Sequence, residues 1–208
     1  MNTLRLRFGA LLLGFAALPA FSQVKTTDLA VPATTPVAAG PRVALETNHG
    51  RIVIELYPEK APRTVANFLA YAREGHYNGT VFHRVIGDLL IQGGAYTPDL
   101  QRKPDRAPIP NESKNGLSNL RGTIAAARRP GDNNSATAQF FINTVDNRQF
   151  DHRGDDAASS GYCVFGRVIE GLDVIDRIRA LPTGARAPFG ADVPKSPALI
   201  ERVQILQE

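Results

Sequence analysis

The sequence predicts a mostly β fold, a closed eight-stranded antiparallel barrel capped by two α-helices. Three observations support that expectation. Eight short β-type runs follow one another from residue 43 onward, each bounded by turn-forming loops. Two segments switch to a helical period, at residues 62–75 and 172–181. The composition, 43% hydrophobic and 21% charged over 208 residues, is that of an ordinary globular chain able to bury a core without disulfides or a structural metal.

Arg5 and Arg7 precede the apolar run 8–18, and Pro19, Ala20 and Ser22 follow it, the arrangement of a secretory signal peptide over residues 1–22. The run is about half the ~20 residues that a membrane-spanning helix requires, so cleavage after Ser22, or else after Ala20, is expected rather than retention as an anchor. Residues 23–41, rich in Ala, Thr, Pro and Gly, read as a flexible linker, and 42–208 as the folded domain. Val43, Leu45 and Thr47, then Ile52, Ile54 and Leu56, alternate with their neighbours around Asn48-His49-Gly50 and predict a hairpin. Val65, Phe68, Leu69 and Ala72 fall at i, i+3, i+4 and i+7 behind Pro62 and ahead of Gly75, which predicts the first helix. Runs at 80–86, 89–92, 123–127, 139–143 and 162–168 follow. The second helix aligns Val174, Ile175, Ile178 and Leu181, with Asp173 in its first turn, Arg177 and Arg179 in its second half and Pro182 as its stop. A run at 203–206 completes the eight strands.

Without Arg5 and Arg7 the chain has 22 basic against 20 acidic residues, which removes any electrostatic argument for nucleic acid. Cys163 is the only cysteine and reads as a buried, inert thiol. There is no GxSxG, GxxxxGK[ST], CxxC or HExxH motif, and the histidines at 49, 76, 83 and 152 lack metal-ligand spacing, so no metal or other cofactor is expected. Gly93-Gly94 follows a strand without opening a helix and reads as a tight backbone turn. If 80–86 is one strand, Phe82, Arg84 and Ile86 share a face while Val81, His83 and Val85 share the other. An arginine flanked on its own face by apolar groups is unusual, although a surface arginine on an edge strand is the ordinary explanation.

Taken in order, Phe82-His83-Arg84-Val85-Ile86, Gln92-Gly93-Gly94, Asn115-Gly116-Leu117, Arg121-Gly122-Thr123-Ile124-Ala125, Ser135-Ala136-Thr137-Ala138-Gln139-Phe140-Phe141-Ile142 and Val164-Phe165-Gly166-Arg167-Val168 resemble the cyclophilins, collinearly from residue 42 to about 206. Ala61-Pro62-Arg63-Thr64-Val65-Ala66-Asn67-Phe68 and Val193-Pro194-Lys195-Ser196-Pro197 add to the match. The signal peptide and Pro110-Asn111-Glu112 resemble the exported bacterial branch. The resemblance implies a barrel of eight strands and two helices and a peptidyl-prolyl cis-trans isomerase acting on proline-containing polypeptides. It implies Arg84 as the hydrogen-bond donor to the prolyl nitrogen, with Gln92 orienting Arg84 and a substrate carbonyl. Leu89, Leu90, Phe141 and Phe150 are expected around the proline ring with Phe82 as support. Ala127 and Arg128 are expected beside the peptide backbone and Tyr162 at the rim; His83 matches the family's histidine beside the arginine, and Gln139 matches a family site residue, although its amide could instead satisfy loop backbone. The protein is expected to be exported, most simply to the periplasm of a Gram-negative bacterium, and to be monomeric, without stable membrane insertion after cleavage.

The chain departs from the family pattern in the pocket wall. Gly87-Asp88-Leu89-Leu90 stands where Pro-Gly-Phe-Met is usual, Ala126 replaces a methionine, Gln149 occupies a position usually held by tryptophan or phenylalanine, and Phe150 replaces a leucine. These changes predict a shifted preference for the residue before proline and weak binding of cyclosporin. They also leave open a peptide-binding chaperone module with little catalysis. A small-ligand barrel is a further alternative, which an interior filled by Phe and Ile side chains would exclude.

Overall fold

The hairpin that opens the domain is built around Asn48-His49, with β1 (Arg42–Thr47) and β2 (Gly50–Leu56) paired so that Thr47 faces Gly50. Gly50 has φ of 124°, a backbone angle that a side chain would strain. The Thr47 hydroxyl donates to the Gly50 carbonyl at 2.6 Å and closes the turn. The computed structural model describes residues 40–208. The expected signal peptide and the expected linker up to residue 39 lie outside the described residues.

Helix α1 (Pro62–Arg73) buries Val65, Phe68, Leu69 and Ala72, the stripe its period predicts. Its N-terminus lacks a capping side chain at Ala61, and the Glu112 carboxylate does that work from a distant loop. It accepts the Arg63 N–H at 3.1 Å, the Thr64 N–H at 2.8 Å and the Thr64 hydroxyl at 2.7 Å. Helix α2 (Leu172–Arg179) buries Val174, Ile175 and Ile178 and ends two residues before Leu181. The remaining strands are β3 (Thr80–Val81), β4 (Arg84–Ile86), β5 (Leu90–Gly93), β6 (Thr123–Ala126), β7 (Phe140–Asn143), β8 (Val164–Glu170), β9 (Thr183–Arg186), β10 (Phe189–Pro194) and β11 (Leu199–Gln207).

The main sheet has nine strands in the order β3-β11-β1-β2-β8-β6-β7-β5-β4, antiparallel throughout. It is a curled half-barrel, not the closed eight-stranded barrel expected. The reason lies in the run 80–86, which is not one strand. Phe82 and His83 leave the ladder, and the Phe82 N–H donates to the Ala198 carbonyl at 2.9 Å. The break puts β3 and β4 at opposite edges of the sheet order and also shifts the alternation. Phe82 and Val85 enter one core cluster, while Arg84 is exposed, so Phe82 and Arg84 do not share a face.

The interior is filled by side chains. Phe82, Phe140 and Phe165 are at most 1% exposed, and Phe140 meets Phe68 edge-on at 5.6 Å and Phe82 at 6.2 Å. Such packing excludes the open lumen of a ligand-carrying barrel. Cys163 is buried, and burial pushes its thiol up to about 11, so it stays protonated and inert. Strands β9 and β10, absent from the sequence expectation, form a separate two-stranded hairpin beside β4. Val193 fixes this hairpin by packing with Val81 and Leu100.

Candidate active site

The site is laid out by strand register. Across β4, β5, β7 and β6, the residues Val85, Ile91, Ile142 and Ile124 face one another and point into the core. One residue along, Arg84 faces Gln92, Gln92 faces Phe141, Phe141 faces Ala125, and Ala125 faces Val164 on β8. Because side chains alternate along a strand, this second row lies on the outside of the sheet. It begins with a half-exposed cation and ends in an apolar floor.

Leu90, Ala125, Phe141 and Val164 form that floor as a second buried cluster, separate from the core, with Leu89, Leu117, Ala127, Phe150 and Tyr162 packed around it. The Phe141 ring meets Phe150 at 5.8 Å and Tyr162 at 5.4 Å, both nearly edge-on. Arg128 stacks 4.9 Å from the Tyr162 ring centre and donates through Nε to the Gly161 carbonyl at 3.0 Å. The Ala127 N–H is spent on the Gln139 carbonyl at 3.0 Å. Beside the floor lies a cleft of about 450 Å³ that shares Ala127 with the floor and Gln92 with the outer row, and is lined further by Gln139, Arg102, Arg128 and Arg129.

A buried amide network holds Leu89 and Phe150 in place. The Asn147 side chain donates to the Leu89 carbonyl at 2.7 Å and to the Asn143 side chain at 2.8 Å, and Asn143 donates to Asn119 at 3.2 Å. Asp151, next to Phe150, accepts the Asn119 N–H at 2.7 Å and the Ser118 hydroxyl. Burial opposes ionisation of Asp151, but these hydrogen bonds outweigh it and hold the carboxyl below its ordinary range. Among the described residues no group of three His, Cys, Asp or Glu side chains is placed to hold a metal ion.

The model of the family described as "Cyclophilin type peptidyl-prolyl cis-trans isomerase/CLD" matches residues 42–205, most of the chain. The chain belongs to this cyclophilin family. It is 50% identical over 163 residues to peptidyl-prolyl cis-trans isomerase B of Escherichia coli, covering 78% of this chain and 98% of that relative. It is 54% identical over 164 residues to peptidyl-prolyl cis-trans isomerase cyp18 of Streptomyces antibioticus, covering 79% and 98%. Its fold matches a Cryptosporidium parvum cyclophilin crystal structure with a TM-score of 0.68 at 25% identity, over 81% of this chain and 98% of that one. The cyclophilin is thus an isomerase by class, acting on proline-containing polypeptides.

Ten of the twelve site residues expected from the sequence meet on the outer face of this cyclophilin: Arg84 and Gln92, the apolar Leu89, Leu90, Phe141 and Phe150, and the surrounding Ala127, Arg128, Gln139 and Tyr162. The other two do not. Phe82 is fully buried in the core, and His83 is 2% exposed, packed 4.6 Å from Tyr96 and 5.2 Å from Phe189. The interruption of the strand before β4 turns both away from the groove. Burial, helped by the neighbouring Arg84 charge, brings the His83 imidazole down to about 4. Gln92 also differs from expectation, since its amide donates to Gln139 Oε1 at 2.9 Å, and the residue that meets Arg84 is Asp192 on β10. Nothing in the sequence singled out Asp192, the asparagine network or, among the cleft arginines, Arg102 and Arg129. Asp192 meets Arg84 across 108 positions and Asn147 meets Leu89 across 58, beyond any local period.

Proposed function

We propose that this cyclophilin accelerates X-Pro rotation in exported polypeptides through a hydrogen bond from Arg84 to the prolyl nitrogen, with the ring seated on the Phe141 floor. Amide resonance sets a barrier of about 18 to 20 kcal/mol for this rotation. Rotation pyramidalises the nitrogen and frees its lone pair, so a donor aimed at that atom binds the transition state and not the planar ground state. That is the condition for raising kcat. A guanidinium offers five N–H groups in a fixed fork, enough for the nitrogen and a substrate carbonyl together. No bond is broken, so neither nucleophile nor metal is required.

The observation that supports this reading best is the outer row itself, in which Arg84 is followed by Gln92 and then by the Phe141 ring two strands away. A proline ring on Phe141, between Leu89, Phe150 and Tyr162, brings its nitrogen to the side where Arg84 stands. The adjoining cleft receives the flanking residues. Catalysed cis-to-trans relaxation of an Ala-Pro peptide tests the mechanism. Arg84→Ala should lower kcat about 10²-fold, the usual scale for removing one transition-state donor. An active Arg84→Ala variant would refute the role.

The export part rests on residues 1–22, whose arginines, apolar run and small residues fit a signal peptide. Expression in a Gram-negative host followed by fractionation should place the chain in the periplasm with Gln23 at its N-terminus. A cytoplasmic chain that retains Met1 would refute it. Among the described residues no helix is long and apolar enough to cross a membrane.

A further inference from the structure

We infer that Asp192 is a positioning residue for Arg84, holding the guanidinium by its Nε edge so that its terminal nitrogens face the groove. This rests on the reading that Arg84 is the donor in the rotation. Asp192 Oδ2 lies 3.5 Å from Arg84 Nε, and among the described residues it is the carboxylate that pairs with Arg84. The Arg84 side chain is 45% exposed, and without a partner it would spread over many rotamers. Gln92, across the ladder, makes its side-chain hydrogen bond to Gln139 and not to Arg84. A carboxylate at Nε engages one of the five N–H groups and leaves four for the prolyl nitrogen and a carbonyl.

The backbone around Asp192 is built for this placement. Asp192 has φ of 64°, the left-handed region that non-glycine residues rarely occupy, although aspartate tolerates it better than most. It lies in a bulge, because the pairing of β10 with β9 slips between Phe189 and Val193, which face Arg186 and Gly184. A bulge re-aims a side chain that regular pairing would direct elsewhere. Anchors on both sides hold it. Phe189 packs on His83, the residue before Arg84, and Val193 is 4% exposed against Val81 and Leu100. A strained conformation held from both flanks, with its side chain on the catalytic cation, marks a functional position.

The test compares Asp192→Asn and Asp192→Gly with the full wild-type chain. Asn keeps the size and the tolerance of the left-handed region while removing the charge, and Gly keeps the backbone while removing the side chain. Relaxation of a cis-enriched Ala-Pro peptide over a range of concentrations should show kcat three- to fivefold lower in both, with KM within twofold of wild type and unchanged melting temperature. In the proton–nitrogen spectrum the Arg84 Nε–H signal should exchange with water faster in both variants. In an Arg84→Lys background, where no Nε exists, Asp192→Asn should cause no further loss. Wild-type kcat in both variants, a higher kcat, or a loss confined to KM overturns the positioning role while leaving the isomerase reading intact. A wild type at the uncatalysed rate overturns that reading, and the positioning role with it.

Discussion

The two ends of the outer row are supported by different means. At the Phe141 end, three hydrogen-bonded strands carry Leu90, Phe141 and Ala125, a buried amide network ties the Leu89 main chain to them, and Phe141 is 2% exposed. At the Arg84 end the strand is three residues long, the next hairpin pairs outside the main sheet, and the contact to Arg84 is one ion pair between half-exposed groups. The floor is rigid because many ladder bonds and ring contacts must fail together. The flank is held by two apolar anchors and a strained turn. The difference suits the proposed chemistry, in which a proline ring needs a fixed apolar seat and a long cationic side chain needs direction more than burial.

The largest effect should come from breaking the floor. Phe141→Ala removes a ring that joins Leu90, Val164, Phe150 and Tyr162, and a buried Phe→Ala change costs about 3–5 kcal/mol. Denaturant unfolding should show that loss, and the folded fraction should bind Ala-Pro peptide poorly. A loss below about 1 kcal/mol with unchanged binding would mean that the ring is not the seat.

The same contrast explains what the sequence reveals. The floor is legible because the motifs around Phe141 and Ala125 are shared with the cyclophilins; Phe140-Phe141-Ile142 is apolar throughout and buried on both faces, so its own pattern does not say which ring faces out. The flank is not legible. Thr183-Gly184-Ala185-Arg186 and Phe189 to Pro194 carry no apolar alternation, and a bulge erases what period there is. Residues 80–86 mislead in the opposite way. They look like one uninterrupted strand, and only the bond from Phe82 to Ala198, 116 positions away, shows where the alternation shifts. The Glu112 cap on α1 is likewise a distant contact that a local reading of Ala61-Pro62 cannot supply.

A second, intermediate effect concerns pH at the flank. Burial, then the Arg84 charge, holds His83 neutral down to about pH 4, against a smaller opposite pull from the Val81 main chain, whereas an unfolded histidine takes up its proton near 6.5. Between those values the unfolded state binds more protons, so stability is full above pH 6.5 and falls as pH drops toward 4. The span corresponds to about 3 kcal/mol. Urea unfolding at pH 7.5 and 4.5 should show most of it. His83→Phe, which keeps a ring between Tyr96 and Phe189, should remove most of that pH-dependent loss. An equal loss in wild type and variant would place the pH sensitivity elsewhere.

The smallest effect separates the two ends by kinetics. Phe150 borders the floor and touches Phe141, so in the proposed seat it would meet the peptide; Phe189 packs on His83 and Tyr96 and is not among the residues of the groove cluster. Phe150→Ala should therefore raise KM with little change in kcat, the pattern for binding shared by ground and transition states. Phe189→Ala should do the reverse, lowering kcat about two- to fivefold with KM unchanged, because loosening one anchor lets Asp192 and Arg84 drift in a reaction where about 1 Å of misplacement is costly. Both changes remove a partly buried ring of the same size, so general destabilisation predicts the same pattern for each. A matched pattern in the two variants would mean that the flank merely supports the fold. Opposite patterns would mean that seat and donor are held, and tuned, by separate parts of the chain.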